Sequence, residues 1–225
     1  MSDLFLSLNG QRVTSGSISI PYYGTWVADL VLPVTLAVAT SCALTVGNLT
    51  LQGAPYRTAP FAGARSVRFV GGYGGWRNTL GSQEYAVPSG VMLSTVLGDA
   101  AGAVGERVHV ASDRSLGAYW LREEGPAQRT LRLLAGPEWY VDPSGVTQVG
   151  PRTGAAITSA VLVNTWDGGR GLFEVSTEDY ASWMPGATFA NELVTVAQTV
   201  SLVRIETDND GKLRLHILSA GAVDA

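Results

Sequence analysis

The side chains able to do chemistry are few, and their spacing keeps them apart. The two histidines, His109 and His216, each stand between apolar residues in VHV and LHI, where a strand is expected. Neither lies at metal-ligand spacing from a cysteine or a carboxylate cluster, so both read as packed or exposed strand residues. Cys42 is the single cysteine and sits in the apolar run LAVATSCALTV. It can form neither an internal disulfide nor a cysteine metal cluster, and a buried small hydrophobe is expected. Glu123 and Glu124 are adjacent on a loop, which cannot give the opposed acid/base pair of glycoside hydrolysis. Asp208, Asp210 and Gly211 resemble the start of a calcium loop, but the twelfth-position glutamate and the flanking helices are missing, and a tight acidic hairpin turn is expected. No G-x-S-x-G elbow occurs. These residues predict no catalytic, cofactor or metal site, and no enzyme.

The segment VGGYGGWRNTLGSQEY carries Gly71, Gly72, Gly74 and Gly75. It has the glycine density of a phosphate-cradling loop, but no Gly-Lys-Ser/Thr follows and no helix opens directly after it. The glycines then serve positive φ or close backbone approach. Tyr73, Trp76 and Arg77 on this loop, and Trp183 in a second Trp-Met-Pro-Gly break, are candidate contacts with a neighbouring chain. The alternative for Tyr73 and Trp76 is a plug folded back on the end of a barrel.

The remaining composition supports assembly. Of 225 residues only 15% are charged while 46% are hydrophobic, with 27 Gly and 10 Pro. That charged fraction lies below the usual value of about 25%, and other subunits covering part of the surface would account for it. The opposing reading is a compact β domain rich in Ser, Thr and Gly. Net charge is −4 and the basic residues are scattered singly, which excludes the clustered footprint of nucleic-acid binding. No signal peptide is expected from MSDLFLSLNG. The apolar stretch Trp26–Val46 contains Asp29, Pro33 and many β-branched residues, and suits paired strands better than a membrane span.

Strands are expected over Leu4–Leu8, with a hairpin at Asn9-Gly10, then Val13–Ile20, Thr25–Leu32, one or two in Thr35–Val46, Leu49–Leu51 and Arg65–Val70. In the third, Trp26, Ala28 and Leu30 share a face. Gln52-Gly53 is expected to open a proline-containing loop. A helix capped by Ser89 begins near Gly90, with Leu93, Val96, Leu97, Ala100, Ala101 and Val104 on one stripe and Gly105 at its C-terminus. Gly98 and Gly102 within it suggest close packing against a strand. A strand over Glu106–Ala111 follows. A second helix starts at Gly125-Pro126 and ends at Gly136-Pro137, and is followed by a hairpin turning at Asp142–Gly145. Strands resume over Ala160–Asn164 and Leu172–Val175. A long final hairpin pairs Leu193–Thr207 with Lys212–Leu218, its tip projecting. The layout is mainly β: a first β-barrel over 1–85, a small α/β insertion over 86–151 and a second β-barrel over 152–225.

In this order the pieces, with GVMLSTVLGDAAGAVGE and WYVDPSGVTQVGPR in the middle, resemble the baseplate hub proteins of bacteriophage tails. The resemblance implies two tail-tube-like β-barrels separated by an α/β insertion. It further implies a structural role joining the tail tube to the central spike, and a homotrimer whose six barrels match a six-fold tube. Expected partners are a tail-tube or distal tail protein, a spike protein and the tape measure, with the chain located in the virion. Two alternatives stand beside it. One is another tail-tip component, although the repetitive β-helix and His-x-His tip of a spike are missing. The other is a carbohydrate-binding β module, suggested by six Trp and eight Tyr.

Overall fold

The computed structural model describes residues 6–35, 38–61, 63–190 and 196–220. Leu4 and Phe5 of the first expected strand, residues 36 and 37, and the start of the expected 193–207 run lie outside the described residues.

The first segment begins with β1 (Ser7–Leu8) and β2 (Gln11–Arg12), turned at Asn9 (φ 49°) and Gly10 (φ 81°). A two-residue hairpin loop whose twist matches its strands needs two positive φ angles, and Asn-Gly supplies them cheaply. β3 (Ser15–Pro21) and β4 (Val27–Pro33) follow. Trp26, Ala28, Leu30 and Leu32 all point into the core, as period-two alternation demands. β5 (Cys42–Val46), β6 (Leu49–Phe61) and β7 (Ala64–Gly71) complete the segment, and Cys42 is buried.

β6 corrects the expected loop at Gln52-Gly53. The strand runs on through Gly53, Pro55 and Pro60, paired with β7 as far as Phe61↔Ala64, with a bulge between Pro55 and Arg57. β5 accompanies it only as far as Gly53. Beyond that residue β6 is an edge among the described residues, and an edge or bulge is where a strand tolerates proline.

Short pairs lead into the middle unit: β8 (Thr79–Leu80) and β9 (Gln83–Ala86). Helix α1 (Leu93–Ala103) begins three residues later than expected, and Ser89 does not cap it. Instead Asp113 reaches in from a later loop: its Oδ1 accepts from the Ser94 amide at 3.0 Å, and its other oxygen accepts from the Ser94 hydroxyl. These bonds hold the Asp113 carboxyl below the usual carboxylate range. The far end follows the sequence reading. The Gly105 amide donates to Gly102 O and the Glu106 amide to Ala101 O, the paired bonds of a Schellman cap.

β10 (Val108–Val110), β11 (Tyr119–Arg122) and β12 (Gly125–Pro126) precede α2 (Ala127–Ala135), in which Pro126 is the N-cap residue rather than the first helical one. β13 (Trp139–Val141) and β14 (Thr147–Val149) form the expected hairpin, with β10 added in parallel on β14.

Gly98 and Gly102 do not pack against a strand. Both lie on the outer face of α1, and a methyl group at either would meet nothing within 4 Å. Gly98→Ala and Gly102→Ala should therefore each stabilise the chain by about 0.5–1 kcal/mol through lost backbone freedom in the unfolded state. Thermal unfolding of each variant checks this through a raised Tm.

The last segment holds β15 (Leu162–Asp167), β16 (Leu172–Ser176), β17 (Thr188–Phe189), β18 (Gln198–Thr207) and β19 (Leu213–Ala220). Its final hairpin turns at Asp208–Gly211, where Asp208 Oδ1 accepts from the amides of Asp210 and Lys212. The carboxylate closes a turn and takes its own backbone as ligand. The tip does not stand free: Arg12 Nη2 donates to Asp210 O at 3.4 Å.

The architecture is mainly β, with the two β segments flanking the α/β unit, and they are joined in one twelve-stranded sheet. β18 of the last segment pairs antiparallel with β3 of the first, Thr207 opposite Gly16 and Leu202 opposite Pro21. The segments also repeat each other. The order β3-β4-β7-β6-β5 recurs as β15-β16-β19-β18-β17. β6 and β18 even bulge at the same place, where the strand leaves β5 or β17 behind.

Candidate assembly interface

Four contacts tie the parts together: a backbone ladder and three made by side chains. Besides the β3–β18 ladder, Asn48 at the β5–β6 turn donates to Asp179 Oδ1 at 2.7 Å and accepts from the Ala181 amide, joining the first and last segments. Arg152 is buried where the middle unit meets both. Its Nη1 donates to Pro21 O (2.9 Å) and Tyr22 O (3.2 Å), and its guanidinium lies 4.4 Å from the centre of the Tyr140 ring. Tyr22 completes the junction by donating its hydroxyl to Arg152 O at 2.8 Å. Burial pulls the Arg152 pKa down from the usual arginine range.

The fourth contact explains the glycine-rich loop. A Schellman cap at the end of α1 delivers Glu106 into that loop, where the carboxylate is nearly fully buried. Glu106 Oε1 accepts from the Gly75 amide at 2.6 Å, and the Tyr73 amide lies 3.2 Å from both oxygens. A side chain at Gly72, where φ is 93°, would press on Oε2, and one at Gly75 would run into Val104 O. The loop is thus an anion cradle, as its composition suggested, but it is filled by the protein's own carboxylate. Burial raises the Glu106 pKa, and the loop amides offset part of that rise.

This arrangement has a pH signature. Because the folded-state value is raised, the carboxyl's favourable contribution is fully present below its unfolded value of about 4.3 and is lost as pH rises through the folded value. Glu106→Gln has no such proton to lose. The stability of the wild type relative to Glu106→Gln should therefore increase as pH falls from 7 toward about 4.5. Urea unfolding of both proteins across that range checks it, and a flat or opposite trend would sink this account of Glu106.

The four candidate contact residues fall in different settings. Tyr73 is half-buried under the Arg107 guanidinium, 5.1 Å from its ring centre. Trp76 is half-buried, donates Nε1 to Thr147 Oγ1 at 2.9 Å and packs on the core. Arg77 is exposed, and its Nη1 donates to Tyr56 O at 3.0 Å. Trp183 must be corrected. It is 0% exposed and packs against Phe189 inside the last segment, so it offers no surface to a neighbour or to a sugar. The residues around Trp183 had the composition of a turn, and nothing local showed which way the ring points.

Sequence reasoning missed Tyr56, whose exposed ring lies on the free part of β6, and Trp166, which is exposed on β15. Tyr56, Val70, Trp76, Arg77, Gln128 and Trp139 border a cavity of about 100 Å³. Thr25 and Glu106 also line it, and its largely apolar wall can receive an apolar group. His109 Nδ1 meets Gln148 Oε1 at 2.9 Å across the β10–β14 pair, and His216 lies 3.8 Å from Glu206 across the last hairpin. Among the described residues no three His, Cys, Asp or Glu side chains converge as a metal site, and no helix is long and apolar enough to cross a membrane.

No family model and no curated protein matches the sequence. Solved structures do match. The tail protein from Neisseria meningitidis MC58 aligns with a TM-score of 0.62 at 12% identity, over 98% of this chain and 97% of its own. The 43 kDa tail protein of prophage MuSo2 from Shewanella oneidensis aligns with a TM-score of 0.64 at 10% identity, over 99% and 97%. An E. coli component of the type VI secretion system, structurally similar to the T4 bacteriophage tail proteins gp27 and gp5, aligns with a TM-score of 0.59 at 11% identity, over 98% and 78%. With a repeated β unit, an intervening α/β unit and nearly its whole length aligned to these structures, the chain has the fold of these tail proteins.

Proposed function

We propose that this chain is a structural component of a phage tail, acting as the baseplate hub that joins the tail tube to the central spike. The observation that carries the reading is the repeated β unit within one chain: the strand order β3-β4-β7-β6-β5 recurs as β15-β16-β19-β18-β17, and the β3–β18 ladder holds the two in fixed relation. On this reading residues 1–85 and 152–225 each form one tube-like barrel. A subunit that presents the same strand order twice doubles the rotational repeat of any ring it builds. Three copies then offer six equivalent barrels to a six-fold tube and three-fold symmetry to a spike. The insertion over 86–151, capped by Asp113 and latched by Glu106, works as a rigid spacer on this frame. The reading calls for contacts with tail-tube or distal tail protein, spike and tape measure, a place in the virion, and no catalytic step.

The test is reconstitution. The purified chain should have a trimer's mass by light scattering, and should co-sediment with tail-tube and spike proteins encoded beside it in a particle with the hub between them. A chain that binds neither protein, or that decorates the outside of finished tails, would refute the hub assignment.

A further inference from the structure

The geometry points to a second copy of this chain as the occupant of β15, whose outer edge would lie along the free part of β6 in the next copy. This inference rests on the reading of the chain as a ring-forming tail subunit. Within one chain the repeat pairs β18 with β3. In the strand order β6 corresponds to β18 and β15 to β3. The edge of β6 past its bulge and the outer edge of β15 are therefore the counterparts of the two edges already joined, and among the described residues neither has a strand beside it. Pairing them between copies repeats the internal joint.

Edge chemistry favours the same match. Natural sheets blunt edges with short strands, charges and prolines. The sheet's other end, β2, is two residues long, and Arg12 on it is held by the hairpin tip. β15 is undefended by comparison: all of it but Val163 is exposed, Leu162 and Trp166 are apolar, and only its last residue is charged. β6 keeps Arg57, Thr58 and Ala59 between its two prolines, so its ladder with a neighbour is shorter than the internal one. Charge also agrees. Residues 1–85 hold five basic and three acidic residues, whereas 152–225 hold five basic and nine acidic. First segment against last segment, head to tail, is the complementary arrangement. Such a heterologous contact closes into a ring when its rotation allows.

Two single-cysteine variants test the contact, Thr58→Cys on β6 and Thr165→Cys on β15, both at exposed positions. Cys42 is buried, and the wild type serves as the control for it. With a bis-maleimide reagent the mixed variants should give a covalent dimer that neither gives alone. Leu162→Lys, folded by circular dichroism, should weaken self-association at least tenfold by light scattering. Dimers from Thr165→Cys alone would mean a symmetric contact and overturn the assignment. So would an oligomer that Leu162→Lys leaves unchanged. If that oligomer still binds tube and spike proteins, only this contact is wrong. A wild type that stays monomeric and binds neither removes the hub reading as well.

Discussion

Gly53→Ala should cost about 3 kcal/mol or abolish folding. Gly53 and Gly71 face each other across β6 and β7, and the indole of Trp26 lies over both. A Cβ on Gly53 would fall inside the Trp26 Cη2 atom's contact distance and 2.8 Å from Val70 O. One on Gly71 would come 2.5 Å from Trp26 Nε1. Neither the ring nor the strand can retreat, because Trp26 is fully buried and its carbonyl accepts from the Gly71 amide at 3.0 Å. Densely packed interiors resist such displacement. A double-mutant cycle with Trp26→Leu isolates the clash: the combined variant should lose less than the sum of the two single losses. Additive losses in urea unfolding would show that Gly53 serves some other purpose.

Arg152→Ala should cost about 3 kcal/mol, since a buried charged donor serves two half-buried carbonyls and an aromatic face at once. Its effect should also be local, loosening the middle unit from Pro21–Tyr22 before the sheet opens. Hydrogen exchange of the β13–β14 hairpin should rise, while amides of the β3–β18 ladder keep their protection. Arg152→Met should cost less than alanine, because it refills the space and removes a buried charge that no carboxylate balances among the described ion pairs. Equal losses from both variants would mean that only the charge matters there.

Much of this molecule is legible a few residues at a time. The Asn9-Gly10 turn, the alternation from Trp26 to Leu32, the α1 stripe from Leu93 to Ala101, the Gly105 cap and the Asp208–Gly211 turn each follow from a period or a backbone angle that local residues dictate. The mainly β layout flanking an α/β unit follows from those pieces. The failures share a cause. Ser89 looked like a cap and Gln52-Gly53 like the start of a loop. The actual cap is the distant Asp113, and the loop is a strand because β7 supplies its partner.

What the chain's sequence determined by itself was the type and order of its elements, since turn chemistry and apolar periodicity act over a few neighbouring bonds. Tertiary structure alone decided which edges meet. The β3–β18 joint brings together residues from opposite ends of the chain, Glu106 fills a loop that could have held a phosphate, and Trp183 turns inward. The first two of these outcomes depend on contacts remote in sequence, where shape and backbone pairing choose among strands that are locally alike.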